Sequence, residues 1–358
     1  MDLKRLSTQS AQRVFLAAMM IFPLLLQACA SPAEEGAGKI PVTLAREYPV
    51  TRIPLEGDVT RRSAEISGLA WYGQDLVLLP QYPRRFSFSD DGALLVLSRE
   101  DIVAYLDGKS DKPLAPRKVS FVAPGLEKRI KGFEGYEAIA FKGSKVFMTI
   151  ESSSGRETMG HLVTGQVAPD GKAIVMDPGS LTGIPSKTDL GNLADEALVV
   201  NGDRVLSFYE ANGLNVNAEP TAHVFDLKGR FQRSVPFPHL EYRLTDATAA
   251  DEMGRFWVLN FFFWGERGKL RPRTPDPLRN LFGAGPTHTR FQTVERLVEY
   301  RDYGTRIERT EHPPIQIELI DDLHPRNWEG VVRFDPYGFL LATDAFPETI
   351  LAFLPLAR

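Results

Sequence analysis

Ser67-Gly-Leu-Ala-Trp-Tyr-Gly-Gln-Asp-Leu-Val-Leu-Leu-Pro-Gln81 decides the fold, because its design returns twice without a gap. The matching stretches are Glu137-Ala-Ile-Ala-Phe-Lys-Gly-Ser-Lys-Val-Phe-Met-Thr-Ile-Glu151 and Glu196-Ala-Leu-Val-Val-Asn-Gly-Asp-Arg-Val-Leu-Ser-Phe-Tyr-Glu210. Each reads as an apolar strand, a turn containing Gly, and a second strand. Asp246 to Asn260, turning at Asp251-Glu-Met-Gly254, and Glu329 to Asp344, turning at Asp335-Pro-Tyr-Gly338, follow the same plan with a longer turn.

Between the hairpins lie further strand candidates rich in β-branched and aromatic residues: Ile102–Leu106 with Lys118–Val122, His161–Val167 with Ala173–Met176, Thr221–Leu227 with Phe231–Phe237, and Glu295–Tyr300 with Thr305–Arg309. Gly and Pro punctuate every window in which a long amphipathic helix would otherwise be read. Units of four antiparallel strands, repeated at irregular spacing, predict an all-β chain folded as a β-propeller. Five blades are favoured, with six as the alternative if Phe86–Leu97 forms a blade of its own. The last unit supplies three strands, and an N-terminal strand from Val42–Leu55 would complete it and remove an exposed edge. A pair of β-sandwiches would also be all-β, but it gives no reason for one hairpin to recur with one turn.

In a propeller the first strand of each blade lines the central channel and the second returns to the same face. That pairs Glu137 with Glu151, Glu196 with Glu210, Asp246 with Asn260, Glu329 with Asp344 and Ser67 with Gln81 at one mouth. Long connections gather on that face too, as binding sites on rigid scaffolds do. Converging carboxylates require a cation or raised pKa values. Hard oxygen ligands without clustered His or Cys suit calcium, so one reading has a calcium ion held by Glu137, Glu196, Asp246, Glu329 and Asn260. The other has the same residues capping strand ends. For catalysis the candidates are Glu137, Glu196 and His324, the last lying just before Trp328-Glu329 and suited to act as a general base.

The segment Phe261–Thr293 has its own character. Phe261-Phe-Phe-Trp264 leads into Arg267, Lys269, Arg271, Arg273 and Arg279, opposed only by Glu266 and Asp276. Guanidinium groups bind phosphate or carboxylate bidentately, which makes Arg267, Arg271 and Arg273 candidate substrate-binding residues. Arg156, closing the polar stretch Glu151-Ser-Ser-Ser-Gly-Arg156, is a fourth.

At the N-terminus Lys4, Arg5 and Arg13 precede an apolar run from Val14 to Leu26 that is shorter than the roughly twenty residues a spanning helix needs. Leu26-Gln27-Ala28-Cys29 resembles the bacterial lipobox, and Cys29 is the single cysteine of the chain. The expected organisation is a signal peptide at 1–28, a lipidated Cys29 with a flexible tether at 29–40, and one propeller domain at 41–358. The resemblance implies a membrane-anchored lipoprotein of the cell envelope, facing the periplasm from the outer membrane or the extracellular side. With one cysteine no internal disulfide forms, so the core alone must hold the domain. The net charge is −4, and residues 1–28 are themselves basic, so the rest is more acidic still and a poor partner for nucleic acid.

Ile66-Ser-Gly-Leu-Ala-Trp71, Phe133-Glu-Gly-Tyr-Glu-Ala-Ile-Ala-Phe141, Ala194-Asp-Glu-Ala-Leu-Val-Val200 and Trp328-Glu-Gly-Val-Val-Arg-Phe334 resemble the inner-strand motifs of the phytase-like family described as having esterase-like activity of phytase. The wider resemblance, from about Glu65 onward, is to calcium-dependent strictosidine-synthase-like and gluconolactonase-like propellers. It implies a metal-assisted hydrolase of a small-molecule ester or phosphoester. No Gly-x-Ser-x-Gly elbow, Walker loop, His-Glu-x-x-His helix or paired-Cys motif occurs. Propellers also serve as binding modules, so recognition of an envelope component without chemistry stands as the second class of function.

Overall fold

Each quoted hairpin forms two antiparallel strands: Ile66–Tyr72 with Asp75–Pro80, Phe133–Lys142 with Lys145–Ser154, Asp195–Asn201 with Arg204–Tyr209, Arg243–Ala247 with Arg255–Phe262, and Trp328–Phe334 with Gly338–Thr343. These come from a computed structural model that describes residues 45–155 and 157–356. In the three gap-free hairpins the first turn residue is Gly73, Gly143 or Gly202, with φ of 60°, 58° and 61°. A side chain rarely adopts that left-handed conformation, so glycine there fixes a two-residue turn and with it the register.

Third and fourth strands complete the units. Ala93–Ser98 and Arg117–Val122 extend the first, Glu157–Val167 and Ala173–Pro185 the second, and Thr221–Asp226 and Phe231–Pro236 the third. Arg117–Val122 pairs in parallel with Ala173–Pro185, which fuses the first two units into one eight-stranded sheet. The fourth unit continues with Val294–Asp302 and Ile315–Ile317. In the last unit Leu351–Pro355 is followed by Thr51–Ile53, an N-terminal strand that pairs with it as an outer edge. The N-terminal segment divides more finely than its sequence suggests, because Glu47–Tyr48 joins Ile315–Ile317 in the neighbouring sheet.

The first strands pack side by side in a closed cycle: Ile66–Tyr72, Phe133–Lys142, Asp195–Asn201, Arg243–Ala247, Trp328–Phe334 and back to Ile66–Tyr72. This is the all-β architecture of a propeller. Apolar side chains fill the wedges between neighbouring sheets. Leu69, Leu76, Leu78 and Leu95 pack with Val332, Phe334 and Leu340, all buried, and each such side chain contributes about 1.5–3 kcal/mol. Gly330 lets the last sheet approach the first, since a Cβ there would stand 2.6 Å from Leu69 Cγ.

One local feature recurs around the cycle. The register slips in each first strand, leaving Ser67, Glu137, Glu196, Thr245 and Glu329 as bulge residues, with Glu134 a second one in Phe133–Lys142. A bulge re-aims a side chain that regular pleating would fix. Ser67 and Thr245 use the freedom to clamp the adjoining strand, donating to Tyr136 O at 2.6 Å and Trp328 O at 2.7 Å.

The expected strand at Ile102–Leu106 is instead part of a helix, Arg99–Leu106. Ser98 caps it by accepting from Asp101 N at 3.0 Å, acidic residues occupy its first turn, and Ile102 is buried. Phe86–Leu97 makes no unit of its own, since Ala93–Ser98 is the third strand of the first sheet. Among the described residues no helix is long and apolar enough to cross a membrane.

Candidate functional site at the mouth of the ring

Three of the bulge residues, Glu137, Glu196 and Glu329, line a cavity of about 770 Å³. Glu151 and Asp344, at the ends of the returning strands, line it as well, with Gln81, Tyr82, Glu266 and Lys269. Thus the hairpin geometry brings together acids that are distant in sequence.

The centre of the arrangement is Arg243, which sequence reasoning missed. Its guanidinium donates to Glu329 Oε1 at 3.2 Å, Glu196 Oε2 at 3.4 Å and Asn327 Oδ1 at 3.1 Å, and its Nε donates to Glu210. Glu266 Oε1 lies 3.9 Å away. The chain enters this strand through Tyr242 at φ 75°, an uncommon conformation for a tyrosine, with its ring 4.6 Å from that of Phe262. A signal for Arg243 did exist. The fourth repeat has Thr245 rather than an acid at its bulge, and a cation two residues earlier.

Burial and crowding govern ionisation here. Desolvation, then the charges of Glu196 and Glu151, raises Glu137 well above the ordinary carboxyl value, although Gln81 Nε2 donates to it at 3.1 Å. Glu151 is raised to about 8, by burial first and then by Glu196 and Glu134. Glu196 is also raised by burial, but Arg243 opposes the shift and its pKa is about 7. Glu329 is raised by burial and by Asp344, and Asp344 itself is raised by burial. For Lys269 burial lowers the pKa and Glu266 works against it. The mouth therefore holds carboxyls that keep their protons near neutral pH and one that titrates beside a guanidinium.

His324 lies on the exposed rim of the same cavity, its Nδ1 2.9 Å from Asp321 Oδ2. Asp246 and Asn260 are elsewhere. With its longer turn the fourth hairpin has its bulge at Thr245, so Asp246 stands one residue past it and is buried inside the ring. Its carboxylate accepts from Val331 N at 2.7 Å and Ala247 N at 2.8 Å, tying two first strands together. Asn260 is fully buried, donating to Glu241 O and Arg243 O at 3.0 and 2.8 Å. Neither faces the mouth. Nor do Arg267 and Arg273, which line a second cavity, or Arg271, whose carbonyl accepts from Asn215. Arg267 opens the short helix Arg267–Leu270 and Arg271 caps its end, while Lys269 of the same helix lines the mouth. Arg156 and Cys29 lie outside the described residues.

The donor set does not fit a cation as the sequence suggested. Glu196, Glu210 and Glu329 converge on Arg243, and among the described residues no group of three or more His, Cys, Asp or Glu is arranged to hold a metal ion.

No family model matches the sequence, and no curated protein does. Solved structures similar to the chain include a glucose dehydrogenase, at 12% identity over 86% of this chain and 99% of that one, with a TM-score of 0.42. An exo-1,5-α-L-arabinanase from a bovine ruminal metagenomic library is similar at 10% identity, over 84% and 95% of the two chains, with a TM-score of 0.45. The catalytic domain of a Coprinopsis cinerea GH62 α-L-arabinofuranosidase is similar at 8% identity, over 87% and 97%, with a TM-score of 0.46.

Proposed function

We propose that the chain is a hydrolase whose mouth cleaves an uncharged small-molecule ester by general acid–base chemistry, on a propeller of five blades. The observation that carries this reading is one cavity holding both a carboxyl that burial keeps protonated and a carboxylate that Arg243 helps to ionise. Environments that separate the protonation states of neighbouring carboxyls assign acid and base. Glu196, with a pKa of about 7, takes a proton from the attacking water. Water oxygen bonds to the ester carbon, the bond to the leaving oxygen breaks, and Glu151 or Glu137 returns a proton to that oxygen. Lys269 is the cation available to the developing oxyanion. Arg243, engaged by carboxylates, positions Glu196 and Glu329.

Charge separates the two substrate classes read from the sequence. A bound phosphoester dianion would push the carboxyls around it, Glu196 included, further toward their protonated forms and so disable the proposed base, which a neutral ester does not. Calcium has no step in this scheme. Anchorage through the lipid on Cys29, in the envelope facing the periplasm, rests on the lipobox and the basic, apolar N-terminus.

The test is hydrolysis of matched aryl esters and aryl phosphates by wild type, Glu196→Gln and Glu151→Gln, with calcium and with chelator. Ester turnover should exceed phosphate turnover, and loss of an acid or base should lower kcat by roughly 10²–10⁴. A second reading, capture of an envelope component without chemistry, draws on the apolar rim, where Leu323 and Phe346 are 85% and 52% exposed. Retained ligand capture with no ester turnover at any pH would decide for it.

A further inference from the structure

The arginine-rich insertion builds a cavity of its own, about 310 Å³, on the fourth sheet. Arg267, Arg273, Arg279, Arg290 and Arg296 line it. Asp276 is the lining acid. Arg296 comes from the central strand Val294–Asp302 and is 5% exposed. Its Nη1 donates to Asp276 Oδ2 at 2.5 Å and its Nε to Asn260 Oδ1 at 2.8 Å. Its Nη2 is buried with no hydrogen-bond partner among the described residues. A buried guanidinium N–H left unpaired costs about 1–3 kcal/mol, so the site is built around a group that would accept from it.

The surrounding charges leave room for such an acceptor. Asp276 is already bound to Arg296 and also accepts from Leu278 N at 3.1 Å. Glu241 lies 3.5 Å from Arg273 Nε, and Glu47 is held by His288 at 2.8 Å. Arg279 and Arg290 have no acid partner among the described residues, and Arg290 lies 5.0 Å from the Phe291 ring centroid. Guanidinium forks match tetrahedral oxyanions, and several of them around one small cavity suit a multiply charged one better than a single carboxylate.

We infer that this second cavity is a binding site for a phosphate-class oxyanion, either a soluble phosphate ester or the phosphate of a lipid headgroup. It is separate from the acidic mouth and does not depend on the hydrolase reading. Both sources offer the same tetrahedral oxyanion, with Arg296 Nη2 as the buried donor and Arg279 and Arg290 at the entrance.

The experiment titrates the full chain with inorganic phosphate, against chloride at matched ionic strength, by calorimetry and thermal melting. Wild type should bind phosphate and melt higher. Arg296→Met removes the buried donor but also the partner of Asp276, so Arg279→Gln/Arg290→Gln, both on exposed residues, is the decisive variant. It should weaken phosphate at least tenfold, while Glu196→Gln at the mouth binds as wild type does. Vesicles of phosphatidylglycerol in phosphatidylcholine separate the sources. Binding that phosphate competes away identifies a headgroup site, and phosphate binding without vesicle binding identifies a soluble ligand. The inference is overturned if phosphate acts no differently from chloride, or if the double variant binds phosphate as tightly as wild type.

Discussion

Asn260 Nδ2 donates to the main-chain oxygen of Arg243 at 2.8 Å while its Oδ1 accepts from Arg296 Nε at 2.8 Å. One fully buried amide thus braces the arginine at the acidic mouth and the arginine of the basic cavity. Its third bond, to Glu241 O at 3.0 Å, completes the use of its donors. Asn260→Ala would leave two carbonyls and a guanidinium N–H without partners in a dry interior. Urea unfolding should show a loss of about 2–4 kcal/mol. A change within experimental error would remove Asn260 from this role.

Arg243→Met should be among the most damaging single changes, and its cost should depend on pH. Removing the guanidinium strands Glu196, Glu210 and Glu329 with no cation at hydrogen-bond distance among the described residues. Breaking such a buried pair costs about 3–5 kcal/mol when the carboxylates are ionised. Acidification protonates them and removes the uncompensated charge. The deficit against wild type should therefore be larger at pH 8 than at pH 5, as read by denaturant unfolding at the two values. An equal deficit at both would mean lost packing rather than lost charge.

Glu151→Gln tests the raised carboxyl directly. Burial raises the folded pKa to about 8 against an ordinary carboxyl value of 4.5, so the folded state holds the proton more tightly than the unfolded state. The stability this contributes is fully present below the unfolded value and is lost as pH rises through about 8. Gln does not titrate. Between pH 5 and pH 9 the variant should gain on wild type by up to roughly 4 kcal/mol, measured as a growing difference in melting temperature. A difference that is flat with pH would mean that Glu151 is ionised throughout.

The hairpins were legible because turn chemistry is local: Gly73, Gly143 and Gly202 occupy one conformation at one point of each repeat. The mouth acids Glu137, Glu196 and Glu329 followed from that alignment. The longer turn of the fourth hairpin moves its equivalent positions outward by one residue at each end, so Thr245 and not Asp246 stands where the other hairpins have their bulge residue. Ile102–Leu106 has strand composition, yet the Ser98 cap and acidic first turn make it helical. Arg243 was hidden for another reason: its partners Glu210, Glu196 and Glu329 are 33, 47 and 86 residues away and become neighbours only when the ring closes.

Calcium provides the sharpest contrast between the two descriptions of the mouth. A cation bound by Glu137, Glu196 and Glu329 would raise the melting temperature by mass action, and Glu196→Gln would reduce the rise. A mouth already neutralised by Arg243 has a different response. Glu196 and Glu329 are engaged at 3.4 and 3.2 Å by the guanidinium, and a divalent ion would have to displace it against its remaining bond to Glu210. The expected outcome is no calcium-specific rise over magnesium at matched ionic strength, and ester turnover unchanged by chelator. Glu196→Gln should lower turnover with or without calcium. A saturable calcium rise that Glu196→Gln abolishes, with turnover lost in chelator, would return the metal to the centre of the mechanism and make Arg243 the group that moves aside to admit it.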